Sequence, residues 1–461
     1  MIHTLAPYPE YKSVSIPWLQ FIPKHWEVAR TKHLFLERVE TGYPDKPLLA
    51  ATQTHGVIPK SAYGKRTVVA LKNLHLLKLV HVGDFVISLR SFEGGFEIAH
   101  TRGIISPAYT ILIPRQAVFR GYYKYLFKSA PFIDSLTLFI TGIREGQNID
   151  YARFSRAYLP LPPFEEQQTI ARFLEHFDRR INRFIRSKQR LIQLLNEQKQ
   201  AIIHQAVTQG LDPTVPHKDS GGFCVETVPE HWVIMPIKRA FISMAYGISE
   251  SATDAGTIRL LTMGHIRDGA ITVPGSGGVA SVDSSLLLQA GDLLFNRTNS
   301  KELVGKVGLF KGHESPVTFA SYLVRMRPHP DHLPEYLNAM LNDFKFLALA
   351  RREAIPSLHQ SNLNPTRYGR LPIALPPLAE QVAIMEWLQH ETQGISKAAS
   401  AAQREINLLQ EYRLRIISDV VTGKLDVTGL DIPPVVPEDA FDFPDEVITE
   451  DLSETEDEVL V

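Results

Sequence analysis

Apolar residues in two stretches of this chain recur in alternating steps of three and four. Between positions 161 and 212 these are Ile170, Leu174, Phe177, Ile181, Phe184, Leu191, Leu195 and Ile202. That spacing puts one stripe along a helix. Lys188 and Gln198 interrupt the stripe, and Ile185 and Ile192 widen it. Pro162 and Pro163 stand where a helix start tolerates proline, and Glu165 and Glu166 suit the positive end of the helix dipole. Gly210 and Pro213 end the pattern. Roughly 45 residues rising about 1.5 Å each predict a rod of about 65–70 Å. A second rod is expected over 375–427, with a weaker stripe through Ala398–Ala402 and a bend at Gly394. Outside the rods, runs such as Thr67–Leu71, Phe85–Leu89, Ala108–Ile113 and Leu293–Asn296 read as short strands. Residues 1–160 and 213–374 are therefore expected to be two mixed α/β domains, and the class α+β.

The two rods are copies of one another. Leu161–Asp212 aligns without a gap on Leu375–Asp426, at an offset of 214, with 21 of 52 positions identical. A fixed self-similarity of this kind marks a duplication. Each rod is too apolar along one side to stand alone, and packing against the other is the simplest burial. A two-fold relation between duplicated helices makes them antiparallel. The expected arrangement is pseudo-two-fold, with a globular domain at each end of a coiled-coil spacer. The domains echo one another as well. Ile22-Pro23-Lys24-His25-Trp26 matches Val228-Pro229-Glu230-His231-Trp232, and Gly83-Asp84 with Arg90 resembles Gly291-Asp292 with Arg297. Matched placement makes Trp26 and Trp232 core anchors in preference to exposed stacking platforms.

Charge alters this picture once its distribution is read. The formal net charge is −1. Residues 431–461 hold twelve Asp or Glu and no Lys or Arg, which leaves 49 basic against 38 acidic residues on 1–430. A basic body suits a polyanionic partner, because each phosphate contact releases counterions. The acidic tail, 428–461, is expected to be disordered and could shield that basic surface. One cysteine, Cys224, excludes a disulfide framework and a multi-cysteine zinc site. With no signal peptide and no run of eighteen apolar residues, a cytoplasmic protein that does not touch membranes is expected.

At this point the chain resembles the specificity subunits of type I restriction–modification systems. The resemblance rests on Ile22–Trp26 and its echo Val228–Trp232, and on two stretches that each lead into a long helix. Those are Leu159-Pro160-Leu161-Pro162-Pro163-Phe164-Glu165-Glu166-Gln167 and Ile373-Ala374-Leu375-Pro376-Pro377-Leu378-Ala379-Glu380-Gln381. It covers roughly residues 15–427, and Ala374 and Ala379 depart from the fuller first copy. It implies a non-catalytic subunit in which each domain reads one half of a split site in double-stranded DNA. The helices would act as a ruler and dock two adenine-N6 methyltransferase subunits. Nuclease and translocase activities would come from restriction subunits. S-adenosylmethionine, ATP and Mg would sit on those partners, with no cofactor and no metal on this chain. A coiled-coil scaffold without DNA specificity is the alternative.

Residues that read base edges need guanidinium, amide or hydroxyl groups. Candidates are Arg297, Thr298, Asn299 and Lys301 after a strand, with Arg90 and Ser91 as the first-domain counterpart. Arg144, Gln147 and Asn148, and His359, Gln360 and Asn362, form a second candidate surface shortly before each rod. The bland reading is solvated turns. Pro163, Glu166, Gln167, Pro377, Glu380 and Gln381 are either helix-start residues or partner-docking groups. His176 and His390 are expected to serve helix packing in preference to a metal. Enzymatic chemistry finds no footing: there is no P-loop, and Asn364-Pro365-Thr366-Arg367-Tyr368 only faintly resembles a methyltransferase loop. Gly275–Gly278 reads as a turn.

Overall fold

A computed structural model of the chain describes residues 5–52, 55–62, 73–87, 95–141, 148–221, 224–254, 256–356 and 360–432. The side chains of residues 140, 141 and 148 are outside that description, as is the acidic tail from 433 onward. Two compact units partition the chain, one holding 1–186 and 407–461 and the other 187–406. Both combine strands and short helices, as an α+β class requires. Two long helices are present as expected, Phe164–Gln209 and Leu378–Val421.

The first unit is built on a four-stranded antiparallel sheet. Its order is Phe35–Glu37, Thr110–Pro114, Phe85–Ile87 and Phe96–Ile98, with Leu112 opposite Glu37 and Thr110 opposite Ile87. Alternation along these strands sends Phe35, Phe85 and Phe96 into one core with Tyr123, Phe127, Phe132 and Phe154. Most ring pairs there meet edge to face, as with Phe35 and Phe85 at 5.9 Å, the arrangement favoured by ring quadrupoles. The second unit carries a six-stranded sheet. Its order is Phe241–Tyr246, Leu323–Pro328, Leu293–Asn296, Val307–Leu309, Ala270–Ile271 and Ile266–Arg267. Beneath it Phe295 stacks on Tyr368 with centroids 4.3 Å apart.

The Gly-Asp pairs singled out by sequence explain themselves structurally. Gly83 and Gly291 both have positive φ, +86° and +94°, which a side chain resists. The next residue is a buried aspartate that closes the turn. Asp84 accepts from the His81 amide and from Arg38 Nε, each at 2.8 Å. Asp292 accepts from the Gln289 amide and takes a two-pronged bond from Arg327 at 2.7 and 2.8 Å. The repeated motif is thus a turn locked by an arginine on a neighbouring strand or its continuation.

Along the first long helix one line of buried and half-buried positions runs 174, 178, 181, 185, 188, 192, 195, 199, 202 and 206. The second runs 388, 392, 395, 399, 402, 406, 409, 413, 416 and 420, the same phase displaced by the repeat. This is a heptad seam, but not quite the one the apolar pattern suggests. Ile185 and Ile192 lie on it, whereas Phe184 and Leu191 are exposed. Lys188, read as an interruption, is a seam residue that crosses to Glu405 at 2.6 Å. Lys199 reaches Ser396 at 3.1 Å, so within this unit rising numbers on one helix meet falling numbers on the other. The helices are antiparallel. In the first unit Asp178 accepts two bonds from Arg413, at 2.8 and 3.1 Å. His390 corrects another expectation: its side chain is 87% exposed and packs no seam.

Candidate nucleic-acid interface and the helix joints

In the second unit, chain order separates two of the candidate segments and the fold joins them. Thr298–Asn299 pairs with Ser361–Asn362, which pairs in turn with Ile355–Pro356. The Leu363 amide donates to the Arg297 carbonyl, and the Arg297 amide to the Tyr322 carbonyl. What sequence presented as two surfaces is one small three-stranded sheet. Arg297 is half-buried, with its guanidinium carbon 5.2 Å from the centre of the Tyr246 ring. Nη1 and Nη2 make only long contacts of 3.4 Å, to the Ser321 carbonyl and Asn362 Oδ1. Among the described residues, neither Arg297 Nε nor the buried Asn296 Oδ1 has a hydrogen-bond partner. A ring and two weak acceptors hold this guanidinium without saturating it.

Around it Thr298 and Asn299 are half-buried, and Lys301 and Gln360 are exposed. Asn299 Oδ1 accepts from the Ser300 amide, so its carbonyl is engaged locally. His359 lies outside the described residues. Sequence reasoning missed Tyr246 and Tyr322, which are 50% and 46% exposed. An aromatic ending a strand beside glycine (Tyr246-Gly247) was the available signal.

In the first unit Arg90, Ser91, Arg144 and Gln147 lie outside the described residues. Asn148 lies in a short strand opposite Thr141. The order of elements nonetheless repeats. A two-residue hairpin pair precedes a short helix capped by Asp150 in one unit and by Asn364 in the other, and a strand then leads into the long helix.

The Glu-Gln pairs have a different role. Glu166 is buried. Its Oε1 accepts from Tyr8 Oη–H at 2.6 Å and from Trp26 Nε1–H at 2.9 Å, and its Oε2 lies 2.8 Å from His25 Nε2. Glu380 repeats this with Trp232 Nε1 at 3.1 Å and His231 Nε2 at 2.7 Å. Gln167 accepts from the Phe119 amide and donates to the Pro162 carbonyl, while Gln381 does the same with Leu333 and Pro376. Tyr122 and Tyr336 each donate to a carbonyl at the end of a long helix, Val421 and Val207. Such terminal carbonyls have no partner within the helix. The Pro-x-His-Trp motif and the Pro-Pro-x-x-Glu-Gln motif are therefore two halves of one joint. In it a carboxylate at one helix start takes the histidine and tryptophan, and a tyrosine closes the end of the other helix.

The side chains of Glu166, Gln167 and Gln381 are thus buried in bonds within their own unit, which favours the helix-start role over docking. Glu380 is engaged likewise. Pro163 and Pro377 are exposed. Burial raises the Tyr8 and Tyr122 hydroxyls well above the ordinary phenol range, with the Glu166 charge adding to it. Both act as donors.

Comparison with known proteins follows the same lines. Residues 111–194 match the family model described as the type I restriction modification DNA specificity domain. The chain is 22% identical over 421 residues to the MjaVIII specificity subunit of Methanocaldococcus jannaschii, covering 89% of this chain and 95% of that one. It is 25% identical to the EcoKI specificity subunit of Escherichia coli K12, covering 68% of each. A shorter match, 28% identical, is to the putative MjaX specificity subunit of M. jannaschii, covering 35% of this chain and 39% of that protein. One solved chain, from a structure of complex assembly and conformational transition of the type I restriction–modification system, has a TM-score of 0.60 at 16% identity. It covers 88% of this chain and 99% of that one and shares the fold. No helix among the described residues is long and apolar enough to cross a membrane.

Proposed function

The chain belongs to the DNA-specificity subunits of type I restriction–modification systems, and from that we propose how its parts divide the work. It is a DNA-recognition subunit and not an enzyme. Segments 1–160 and 213–374 each read one half of a bipartite site in double-stranded DNA. The helices, within 161–212 and 375–427, dock two adenine-N6 methyltransferase subunits. S-adenosylmethionine, ATP and Mg belong to the partner subunits, with restriction subunits joining the complex.

One observation carries this reading. The joints are duplicated in their shared bonds, at Glu166, Gln167 and Tyr122 and again at Glu380, Gln381 and Tyr336, while the small sheets ahead of them have drifted in sequence. Conserving the mount and varying the reader supports two domains that present different side chains to different half-sites. Arg297, held over Tyr246 with unsaturated N–H groups, offers the donors that recognise the acceptors of guanine.

The test is methylome sequencing of a host carrying this chain with its methyltransferase, against a host lacking only this chain. A bipartite N6-methyladenine motif that vanishes with the chain is the expected result. An unchanged methylome, with the methyltransferase active in both hosts, refutes the proposal.

A further inference from the structure

The two joints also differ beside the helix start. A short helix packs beside each helix start, Arg120–Leu126 in the first unit and Pro334–Leu341 in the second. In the first unit Tyr125 is buried and feels the charge of Asp178, and Phe119 meets Phe164 edge to face at 5.9 Å. At the repeat offset, the second unit has Ala339, Thr392, Leu333 and Leu378 in their places. Both the rings and the carboxylate are gone. A groove of about 340 Å³ stands there instead, lined by Ile203, Leu333, Ala339, Val382, Met385 and Thr392. Exposed Glu335 and Glu386 stand on its rim, where the first unit has Gly121 and Arg172.

We propose that this groove seats an aromatic or large apolar side chain carried on a basic segment of the methyltransferase subunit docked on the second unit. The inference rests on the docking reading above and names the surface it uses. The apolar lining fits a ring, because a ring of the chain's own occupies the matching position in the first unit. Acidic rim groups fit Lys or Arg flanking that anchor, since opposite charges at a rim steer and orient a partner. A buried anchor in a preformed pocket is the usual source of most binding energy at an interface. In the first unit the chain's own Tyr125 stands at the matching position. The two docking sites are consequently unequal, and the second unit takes its methyltransferase subunit first.

The test rebuilds the first unit's filling in the second, as Ala339→Tyr with Thr392→Asp. Full-length chain and variant are titrated with the host's methyltransferase subunit, read by native mass spectrometry and analytical ultracentrifugation. The parent is expected to take two subunits in two distinguishable steps. The filled variant is expected to lose the tight step, weakening it about tenfold or more, with an unfolding temperature equal to the parent's or higher. Glu335→Lys with Glu386→Lys leaves the lining intact and is expected to weaken the same step. If the filled variant does not fold, this pair decides, and unchanged binding overturns the groove. Two steps at parental affinity in a folded filled variant overturn it too, while the docking reading stands. A parent that binds no methyltransferase removes the docking reading, and the groove with it. Self-association of the parent that Ala339→Tyr abolishes assigns the groove to a second copy and also overturns the proposal.

Discussion

Removing the Glu166 carboxylate separates a structural joint from a docking surface. In Glu166→Ala two buried donors lose their acceptor, the Tyr8 hydroxyl and the Trp26 indole N–H. An unsatisfied buried donor costs roughly 1–3 kcal/mol, so the variant is expected to lose about 2–5 kcal/mol. His25 is half-exposed and adds little, since water replaces its partner. For a unit of this size the loss corresponds to a fall of roughly 5–15 °C in its unfolding temperature. Glu380→Ala offers an internal control. It leaves one buried donor, Trp232 Nε1, at a site whose glutamate is 28% exposed, and is expected to cost less, about 1–2 kcal/mol. Glu166→Gln keeps an oxygen for the indole and phenol and turns an amide toward His25, so it is expected to lie near the parent.

The assay is scanning fluorimetry and urea unfolding followed by tryptophan emission, with methyltransferase capture measured where each variant is folded. The order of stability should be parent, Glu166→Gln, Glu380→Ala, Glu166→Ala. Capture by folded Glu166→Ala should match the parent. A Glu166→Ala chain with parental stability that no longer captures the methyltransferase would refute the joint and restore the docking role.

Four further outcomes are expected. Gly423 has φ of +75° and an added Cβ would lie 2.4 Å from Pro23 Cδ, whereas at Gly210 the nearest atom is Glu380 Oε1 at 3.2 Å. Gly423→Ala should therefore lower the unfolding temperature more than Gly210→Ala, by calorimetry. Asp178→Ala leaves Arg413 unpaired in the seam and should cost about 1 kcal/mol after allowance for its partial exposure, and Asp178→Leu with Arg413→Leu should regain the loss in urea unfolding. Burial pushes the Glu97 carboxyl up to about 7 against the pull of Lys128. The folded state then holds a proton that the unfolded state has released between pH 4.5 and 7. Stability from this group falls as pH rises through that window, and Glu97→Gln should flatten that part of the pH–stability profile. Arg297→Lys keeps the charge but loses the planar fork on Tyr246. Anisotropy titrations should show a loss of about 1–3 kcal/mol on the cognate site and little change on random duplex.

Sequence made the frame legible because the frame is built from local periodicity and a gapless repeat. Two helices, their antiparallel pairing and the anchoring tryptophans follow from positions such as Ile170, Leu174 and Trp26, whose surroundings the pattern itself encodes. The phase of the seam was less legible. Hydrophobicity alone favours Phe184 and Leu191, yet the partner helix selects Ile185, Lys188 and Ile192, because Lys188 can cover apolar surface with its stem and still reach Glu405. Polar residues at seam positions fix register at some expense of stability, so Lys188, an apparent interruption, helps to align the helices.

The reader surface was legible in composition and illegible in geometry. Nothing in the spacing says that Thr298 and Asn362 are neighbours, because non-local strand pairing has no short-range signature. Glu166 and Glu380 show the opposite limit. Their repetition marked them as important, but repetition reports only that a side chain is needed at both sites. Whether it faces inward or outward is decided by the indole and imidazole that arrive from 140 and 141 residues earlier in the chain in one unit, and from 148 and 149 in the other. A motif duplicated with its distant partner is best read as half of an internal bond, and a position where the copies disagree, such as Tyr125 and Ala339, is where a different molecule has room to act.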